Sequence, residues 1–318
     1  MIPLTLPETA GFLREHDNYI MLTHRRPDGD TIGCAAALCG GLRKLGKQAY
    51  VLENPQFTEK FRPYLEGLTI PAIPENAILV ATDIATGKLM PYSAENYVNQ
   101  VDLRIDHHGS DGAFGLQGYV DPTAAACGEI ILDLLRLLEV PVDKPIAEAL
   151  YCAISTDTGC FRYSNTTART LRAAAECRDC GADTFAVNQV MFLTKRLERL
   201  KLEAYLTEHT EFYAGGKVAV SAIPEALKLE LGLTEDDIDD ISGFGREIGG
   251  VQIGVMLREV GSRGKISVRT SPAYDASAIC ALCGGGGHKA AAGATVDGGL
   301  NGAKTAVLQA ISAMGVSL

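Results

Sequence analysis

Short apolar runs alternate with longer helix-like stretches along the first half of the chain. Tyr19 to Leu22, Ala77 to Val80 and Val101 to Ile105 read as strands, while Thr31 to Leu45, Cys127 to Leu138 and Ile146 to Ser155 read as helices. Pro141 and Pro145 punctuate the last two helices. This rhythm predicts an α/β domain over residues 1–188, a mainly parallel sheet with helices on both faces. Residues 189–212 are charged and periodic, with Leu197, Leu200 and Tyr205 among the apolar positions, and predict a helical linker.

The pattern changes after Gly215-Gly216. Lys217 to Ile223, Val251 to Leu257 and Lys265 to Arg269 read as strands, the last two flanking a turn at Gly261 to Gly264. A helix-like Asp275 to Cys283 then runs into Gly284 to Gly287 and His288. Residues 213–318 are therefore expected to form a smaller α/β domain with a mixed sheet. The acidic stretch from Glu235 to Asp240 reads as a solvated loop or helix start. GFGREIGG at 243–250 follows no strand and lacks the spacing of a dinucleotide fingerprint.

Three of the strand-like runs end in side chains that bind divalent metals. Tyr19 to Leu22 leads to His24, Asp28 and Asp30; Ala77 to Val80 leads to Asp83; Val101 to Ile105 leads to Asp106, His107 and His108. In open α/β sheets ligands gather at the carboxyl ends of strands, so these residues are expected to converge. Asp157, after a helix and before a glycine, adds a fourth segment. Several carboxylates in one place repel one another unless cations neutralise them, and oxygen with imidazole nitrogen suits Mn²⁺, Mg²⁺ or related ions. Individually each has an ordinary alternative: Pro-Asp-Gly-Asp is a common turn, and Asp83 or Asp157 can organise one. Pro27 is expected to push Arg26 toward an extended conformation, and Gly29 to permit a sharp turn between two carboxylates.

Composition narrows the field. At 318 residues and 47% apolar, the chain has room for two ordinary domains. A net charge of −10 disfavours coating long nucleic acid, which requires a basic stripe. No signal peptide or membrane-length apolar run is visible, so a cytoplasmic location is the expectation. Cys177-x-x-Cys180 with Cys280-x-x-Cys283 admits a four-thiolate zinc reading, but the glycine-rich knuckle turns of such sites are missing. Buried reduced thiols are the better reading.

Taken together, HRRPDGD, TDIATG, IDHHGS and STDTGCFRYSNTT resemble motifs I to IV of the DHH phosphoesterase superfamily. SVRTSPAYDASAICALCGGGGHKAAAGA resembles its DHH-associated substrate-binding domain. The resemblance implies two Mn²⁺ ions, with Mg²⁺ or Co²⁺ as substitutes. By it, His24 and Asp28 hold one ion, Asp30, His107 and Asp157 the other, and Asp83 bridges them. Asp106 would orient a histidine, and His108 would face the substrate phosphate. Two cations activate water and stabilise an in-line displacement at phosphorus, so no protein nucleophile is required. Ser110 and Ser155 are then turn or helix-end hydroxyls.

In the second domain, the resemblance implies that Arg269 and His288 help hold a terminal phosphate. Gly285, Gly286 and Gly287 offer backbone donors, and Arg258 is a weaker candidate because strand-end arginines are usually just solvated. Phe161, Arg162 and Tyr163 offer a cation and a stacking surface for a base, although such aromatics are more often core. Cys34 stands where the family commonly has Ser. A metal domain and a phosphate-holding domain suggest a cleft for short chains. The implied activity is hydrolysis of short oligoribonucleotides and of 3′-phosphoadenosine 5′-phosphate, as in the nanoRNase/pAp phosphatase type. Hydrolysis of linear or cyclic dinucleotides such as pApA or c-di-AMP is the enzymatic alternative. A nucleotide-sensing module that has lost catalysis is the non-enzymatic one. Extra nucleic-acid-binding domains of RecJ-type exonucleases and membrane segments of cyclic-dinucleotide phosphodiesterases are not seen. A homodimer is in keeping with the resemblance; no long duplex and no membrane is expected as a partner.

Overall fold

The computed structural model describes all residues except 110, 111, 113, 239 and 240, so Ser110 and the end of the acidic stretch lie outside the described residues. The chain divides into two compact units, 1–194 and 195–318.

In the first unit seven strands pair in parallel throughout: β1 (Ile2–Pro3), β2 (Tyr19–Leu22), β3 (Ala49–Leu52), β4 (Thr69–Ile70), β5 (Ile78–Thr82), β6 (Leu103–Asp106) and β7 (Gln117–Val120). Their order is β1-β7-β6-β5-β2-β3-β4. From β2 the chain goes outward to β3 and β4, then returns to lay β5 on the other side of β2. The β2/β5 boundary is thus the point where strand order reverses, the usual place for a ligand in an open α/β sheet.

Alternation along β2 divides the core. Tyr19 and Met21 pack on the face that carries α1 (Leu6–Glu15), α2 (Gly29–Lys44), α3 (Cys127–Leu137), α4 (Lys144–Asp157) and α5 (Ala168–Asp179). Ile20 and Leu22 face the other way, onto Ile84, Met90, Ala94 and Val101. That second face is covered by short 3₁₀ turns, Gly87–Leu89 and Glu95–Gln100, instead of long helices. Pro145 lies in the first turn of α4, whose cap is Asp143.

The second unit holds a six-stranded mixed sheet of β8 (Glu211–Tyr213), β9 (Val218–Ile223), β10 (Ile253–Val260), β11 (Arg263–Thr270), β12 (Gly286–Gly287) and β13 (Ala291–Asp297). Their order is β12-β13-β11-β10-β9-β8. Only β9 and β10 run parallel. Helices Ala276–Ala281 and Gly299–Ala313 close one face through Ile279, Val307 and Ile311. Helix Leu197–His209 packs on the other through Leu202 and Leu206, with Ile223 and Met256. Leu197 and Leu200 are exposed, so the buried stripe of this helix differs from the one its apolar pattern suggests. Among the described residues no helix is long and apolar enough to cross a membrane.

Candidate metal centre

All of the expected ligands of the first unit meet at one end of its sheet. Asp28 caps α2, its carboxylate accepting from the amides of Asp30 and Thr31, which points Asp30 inward from the first turn. Asp83 directly follows β5, Asp106 ends β6, and Asp157 is the last residue of α4. Three groups of ligating atoms lie close enough to share an ion: His24, Asp28 and Asp83; Asp30, His107 and Asp157; and Asp83, Asp106, His107 and His108.

Asp83 stands between the first two groups. Its Oδ2 is 3.8 Å from His24 Nε2, and its Oδ1 is 3.4 Å from His107 Nε2. His24 Nε2 is 3.4 Å from Asp28, and His107 Nε2 is 3.5 Å from Asp157 and 3.8 Å from Asp30. Each imidazole is oriented by a carbonyl at Nδ1: Arg25 O at 2.9 Å for His24, Ala124 O at 3.2 Å for His107. With Nδ1 donating, Nε2 is the nitrogen left to ligate. Asp83 Oδ1 and His107 Nε2 are buried without a hydrogen-bond partner. Their 3.4 Å approach is close enough for Coulombic attraction but not aligned as a hydrogen bond. Orphaned buried atoms of this kind cost free energy unless something else engages them, and an O/N set with four carboxylates fits a divalent cation.

The electrostatics agree. Burial, reinforced by Asp83, pushes the Asp30 carboxyl up, and burial likewise raises Asp83. Asp157 is pushed up to about 7 by burial and then by Asp30. Burial opposes charge on the two histidines, yet Asp28 and Asp83 raise His24 to about 10, and Asp83, Asp30 and Asp157 raise His107 to about 12. Protons held in this way balance the crowded carboxylates, and a bound cation would take their place.

Asp106 is fully buried, and although it falls in the third of these groups its carboxylate is already engaged by neighbouring donors. Its Oδ1 accepts from the amides of His107 (2.8 Å) and His108 (3.2 Å) and from His108 Nδ1 (2.8 Å). It therefore orients His108, while Ala124 orients His107. Its Oδ2 pairs with Arg104, two residues earlier on β6 and so on the same face. Arg104 is itself buried and donates to Ile84 O (3.1 Å) and Ala85 O (2.9 Å), tying Asp106 to the loop that carries Asp83. Burial works to raise Asp106, but His108 and Arg104 outweigh it and hold the carboxyl below its usual range.

Several local details depart from expectation. Gly29 makes no left-handed turn; it opens α2, and a Cβ there would lie 2.3 Å from Thr156 Oγ1. Its glycine serves the close approach of α2 to the end of α4. Arg26 adopts φ +56° instead of an extended conformation, despite Pro27, and Asp83 also has φ +56°. Left-handed backbone at a non-glycine is strained, and here it turns the chain sharply at two ligand-bearing segments. Cys34 donates to Asp30 Oδ1 at 3.2 Å, doing the work of a small hydroxyl, and burial pushes its thiol well up. Asp30 also accepts from the amides of Cys127 (2.6 Å) and Gly128 (2.9 Å) at the start of α3. Ser155 is buried and back-bonds to Cys152 O, as a helix-end hydroxyl should. Cys177 and Cys280 are buried in the cores of separate units, and among the described residues no metal-ligating group includes a cysteine.

In the second unit Arg269 lies opposite Ala291 in the β11/β13 ladder, and the tight turn 288–291 closes by bonds between His288 and Ala291. Arg269 and His288 therefore share one end of the sheet. Arg258 does not join them. Because β10 and β11 run antiparallel, the end of β10 meets the beginning of β11: Arg258 faces Lys265, whereas Arg269 faces Gly254. The amides of Gly285 and His288 already donate to Cys280 O and Ala291 O, so these two backbone donors are taken up within the fold. A Cβ on Gly285 would lie 2.1 Å from Gly293 O, and one on Gly287 2.6 Å from Ala292 Cα. Close packing on β13 explains these glycines; Gly286 has open space.

Two structural residues escaped the sequence reading. Arg104 was visible as a charge inside an apolar strand. Asn165, whose Nδ2 donates to both Asp157 O and Ala125 O at 3.1 Å, carried no signal beyond its nearness to Asp157.

Comparison with known proteins agrees with the geometry. Residues 18–154 match the DHH family, N-terminal domain, and residues 215–314 match the DHHA1 domain. The bifunctional oligoribonuclease and PAP phosphatase NrnA of Thermus thermophilus is 36% identical over 298 residues, covering 91% of this chain and 87% of that one. The Bacillus subtilis protein of the same name is 25% identical over 287 residues, covering 88% and 90%. A solved exopolyphosphatase-related protein from Bacteroides fragilis superposes with a TM-score of 0.87 at 21% identity, covering 97% of this chain and 96% of that one. The chain belongs to the DHH family, with an N-terminal DHH domain followed by a DHHA1 domain.

Proposed function

We propose that this protein is a metal-dependent phosphoesterase that hydrolyses short oligoribonucleotides and 3′-phosphoadenosine 5′-phosphate. The observation that carries the reading is the cluster of six side chains able to ligate, from four segments, with Asp83 reaching both halves and two buried atoms left without hydrogen-bond partners. His24, Asp28 and Asp83 would hold one ion; Asp30, His107, Asp157 and Asp83 the other. Mn²⁺ is the ion proposed, since carboxylate oxygen with imidazole suits it, and Mg²⁺ or Co²⁺ would substitute. When bound, such a pair of ions would make water nucleophilic at neutral pH and would neutralise charge developing on the phosphoryl oxygens.

The chain's own groups do the rest. Asp106 fixes the ring of His108, which would meet the scissile phosphate. Arg104 fixes Asp106. In the DHHA1 domain, Arg269 and His288 at one sheet end would hold a terminal phosphate, a charge-assisted contact that favours short substrates with such an end. Arg258, set apart by register, is left out of this grip. The names borne by the Thermus and Bacillus relatives support the substrate class. The net charge of −10 supports small substrates over long duplexes. A second reading, cyclic or linear dinucleotide hydrolysis, has support from the cyclic-di-AMP phosphodiesterase GdpP of Bacillus subtilis. That protein is 27% identical over 232 residues, and the match covers 35% of its length.

The test is a Mn²⁺-supplemented assay on RNA from dinucleotides upward, pAp, pApA, cyclic dinucleotides and pyrophosphate. Rapid turnover of the shortest RNAs and pAp is expected, and preference for long strands would overturn the reading. Asp83→Ala should abolish turnover; retained activity would refute its bridging role. Arg269→Ala or His288→Ala should raise KM chiefly for substrates with a terminal phosphate, and an unchanged KM would remove the phosphate grip.

A further inference from the structure

Beyond Asp157 the backbone enters a conformation that L side chains rarely adopt. Gly159, Cys160 and Phe161 have φ of +55°, +57° and +63° in succession. The turn is firmly tied to the end of α4. The Cys160 amide donates to Ser155 O at 2.7 Å, and those of Arg162 and Tyr163 donate to Thr158 O at 3.0 and 3.1 Å. Asn165 adds its bonds to Asp157 O and Ala125 O, the carbonyl next to the one that orients His107. Strain held by so many bonds needs a purpose.

What the turn does is separate two aromatic rings. Phe161 is directed onto the core, its ring 5.9 Å from that of Tyr151. Tyr163 is directed outward and is 58% exposed. Its ring lies flat on Gly159: a Cβ there would be 2.3 Å from the ring's Cζ and 2.6 Å from Cε2. One face is therefore closed by bare backbone, and the exposure belongs to the opposite face and the edges. Arg162 is held close by, its Nε donating to Gly159 O at 2.6 Å. An aromatic plane fixed from behind and open in front, six residues from a proposed metal ligand, is the arrangement that receives another flat π-system.

We propose that Tyr163 is a platform on which a nucleobase of the substrate stacks, while the adjoining phosphate lies at the metal centre. The inference rests on the nucleotide reading above and adds a subsite to it. Stacking is tolerant of base identity, so the platform would recognise that a base is present without choosing which one.

The test compares a ribodinucleotide with the same molecule lacking the base on one nucleotide, for wild type and for Tyr163→Ala, Tyr163→Phe and Tyr163→Trp. Wild type should prefer the intact dinucleotide, Tyr163→Ala should lose about ten-fold of that preference through KM, and Phe and Trp should restore it. An equal effect on both substrates, or no effect, would overturn the platform. Binding of a 2-aminopurine nucleotide, read by fluorescence quenching, keeps the two readings distinguishable. Quenching that depends on Tyr163 supports the platform even without turnover. Hydrolysis without such quenching refutes the platform and leaves the phosphoesterase standing. Absence of both binding and hydrolysis refutes both.

Discussion

Replacing Arg104 with methionine keeps most of the side chain's length and removes its charge, leaving Asp106 buried without its cation. Arg104 is 2% exposed and Asp106 0%, so water cannot replace the lost partner. Removing one member of a buried ion pair costs about 3–5 kcal/mol. The carbonyls of Ile84 and Ala85 also lose their donor, at about 1–3 kcal/mol each if they stay dry, partly offset by the apolar body of methionine. A net loss of about 5 kcal/mol or more is expected, a factor of several thousand in the unfolding constant. Urea denaturation of the metal-free protein, following the transition of the first unit, measures it. Asp106→Asn in the same chain removes the stranded charge, so the double variant should lose less than the sum of the singles. A single-variant cost below about 1 kcal/mol, or strict additivity, would refute the clasp.

Gly33→Ala would place a Cβ 2.2 Å from Ala149 O, where α2 crosses α4. The helices must separate, at about 1–3 kcal/mol, and because they carry Asp30 and Asp157 the Mn²⁺ affinity should fall too; thermal melts and a metal titration read the two effects, and an unchanged affinity would show that the crossing does not set the site. For pH dependence, the sign follows from groups whose folded pKa is raised: Asp157 to about 7, His24 to about 10 and His107 to about 12. Each contributes stability that is complete below its unfolded pKa and lost as pH rises through the folded one. The metal-free protein should therefore lose Tm from mildly acid to alkaline pH, and the increment from saturating Mn²⁺ should grow over the same range; a metal-free Tm that rises with pH would contradict the proton-for-cation exchange.

The convergence of the proposed ligands was legible because its logic is topological. Residues directly after parallel strands arrive at one sheet edge, so three short runs sufficed to predict that His24, Asp83 and His107 would meet. The parallel first domain and mixed second sheet followed from periodicity in the same way. What escaped depends on register and on contacts between distant segments. Arg258 and Arg269 look equivalent as strand-end arginines, yet antiparallel pairing separates them by four ladder positions, since Arg258 faces Lys265 and Arg269 faces Gly254. Gly29 reads locally as a turn residue, whereas Thr156, far along the chain, is what forbids a side chain there. Arg104 reads as an interruption of an apolar strand, and only the positions of Ile84, Ala85 and Asp106 give it a role.

The reversal of strand order at β2 and β5 bears on how the protein reaches its native state. The centre draws on segments near residues 24–30, 83, 107 and 157, so its full donor set exists only after β2, β5 and β6 have paired and α4 has docked. Parallel pairings between distant segments form slowly, because long loops must close before any contact rewards them. A divalent ion that needs all of these segments has little to grip in the folding transition state. Its binding energy should accordingly appear almost wholly in the unfolding rate, lengthening the life of the native state while leaving the speed of folding nearly unchanged.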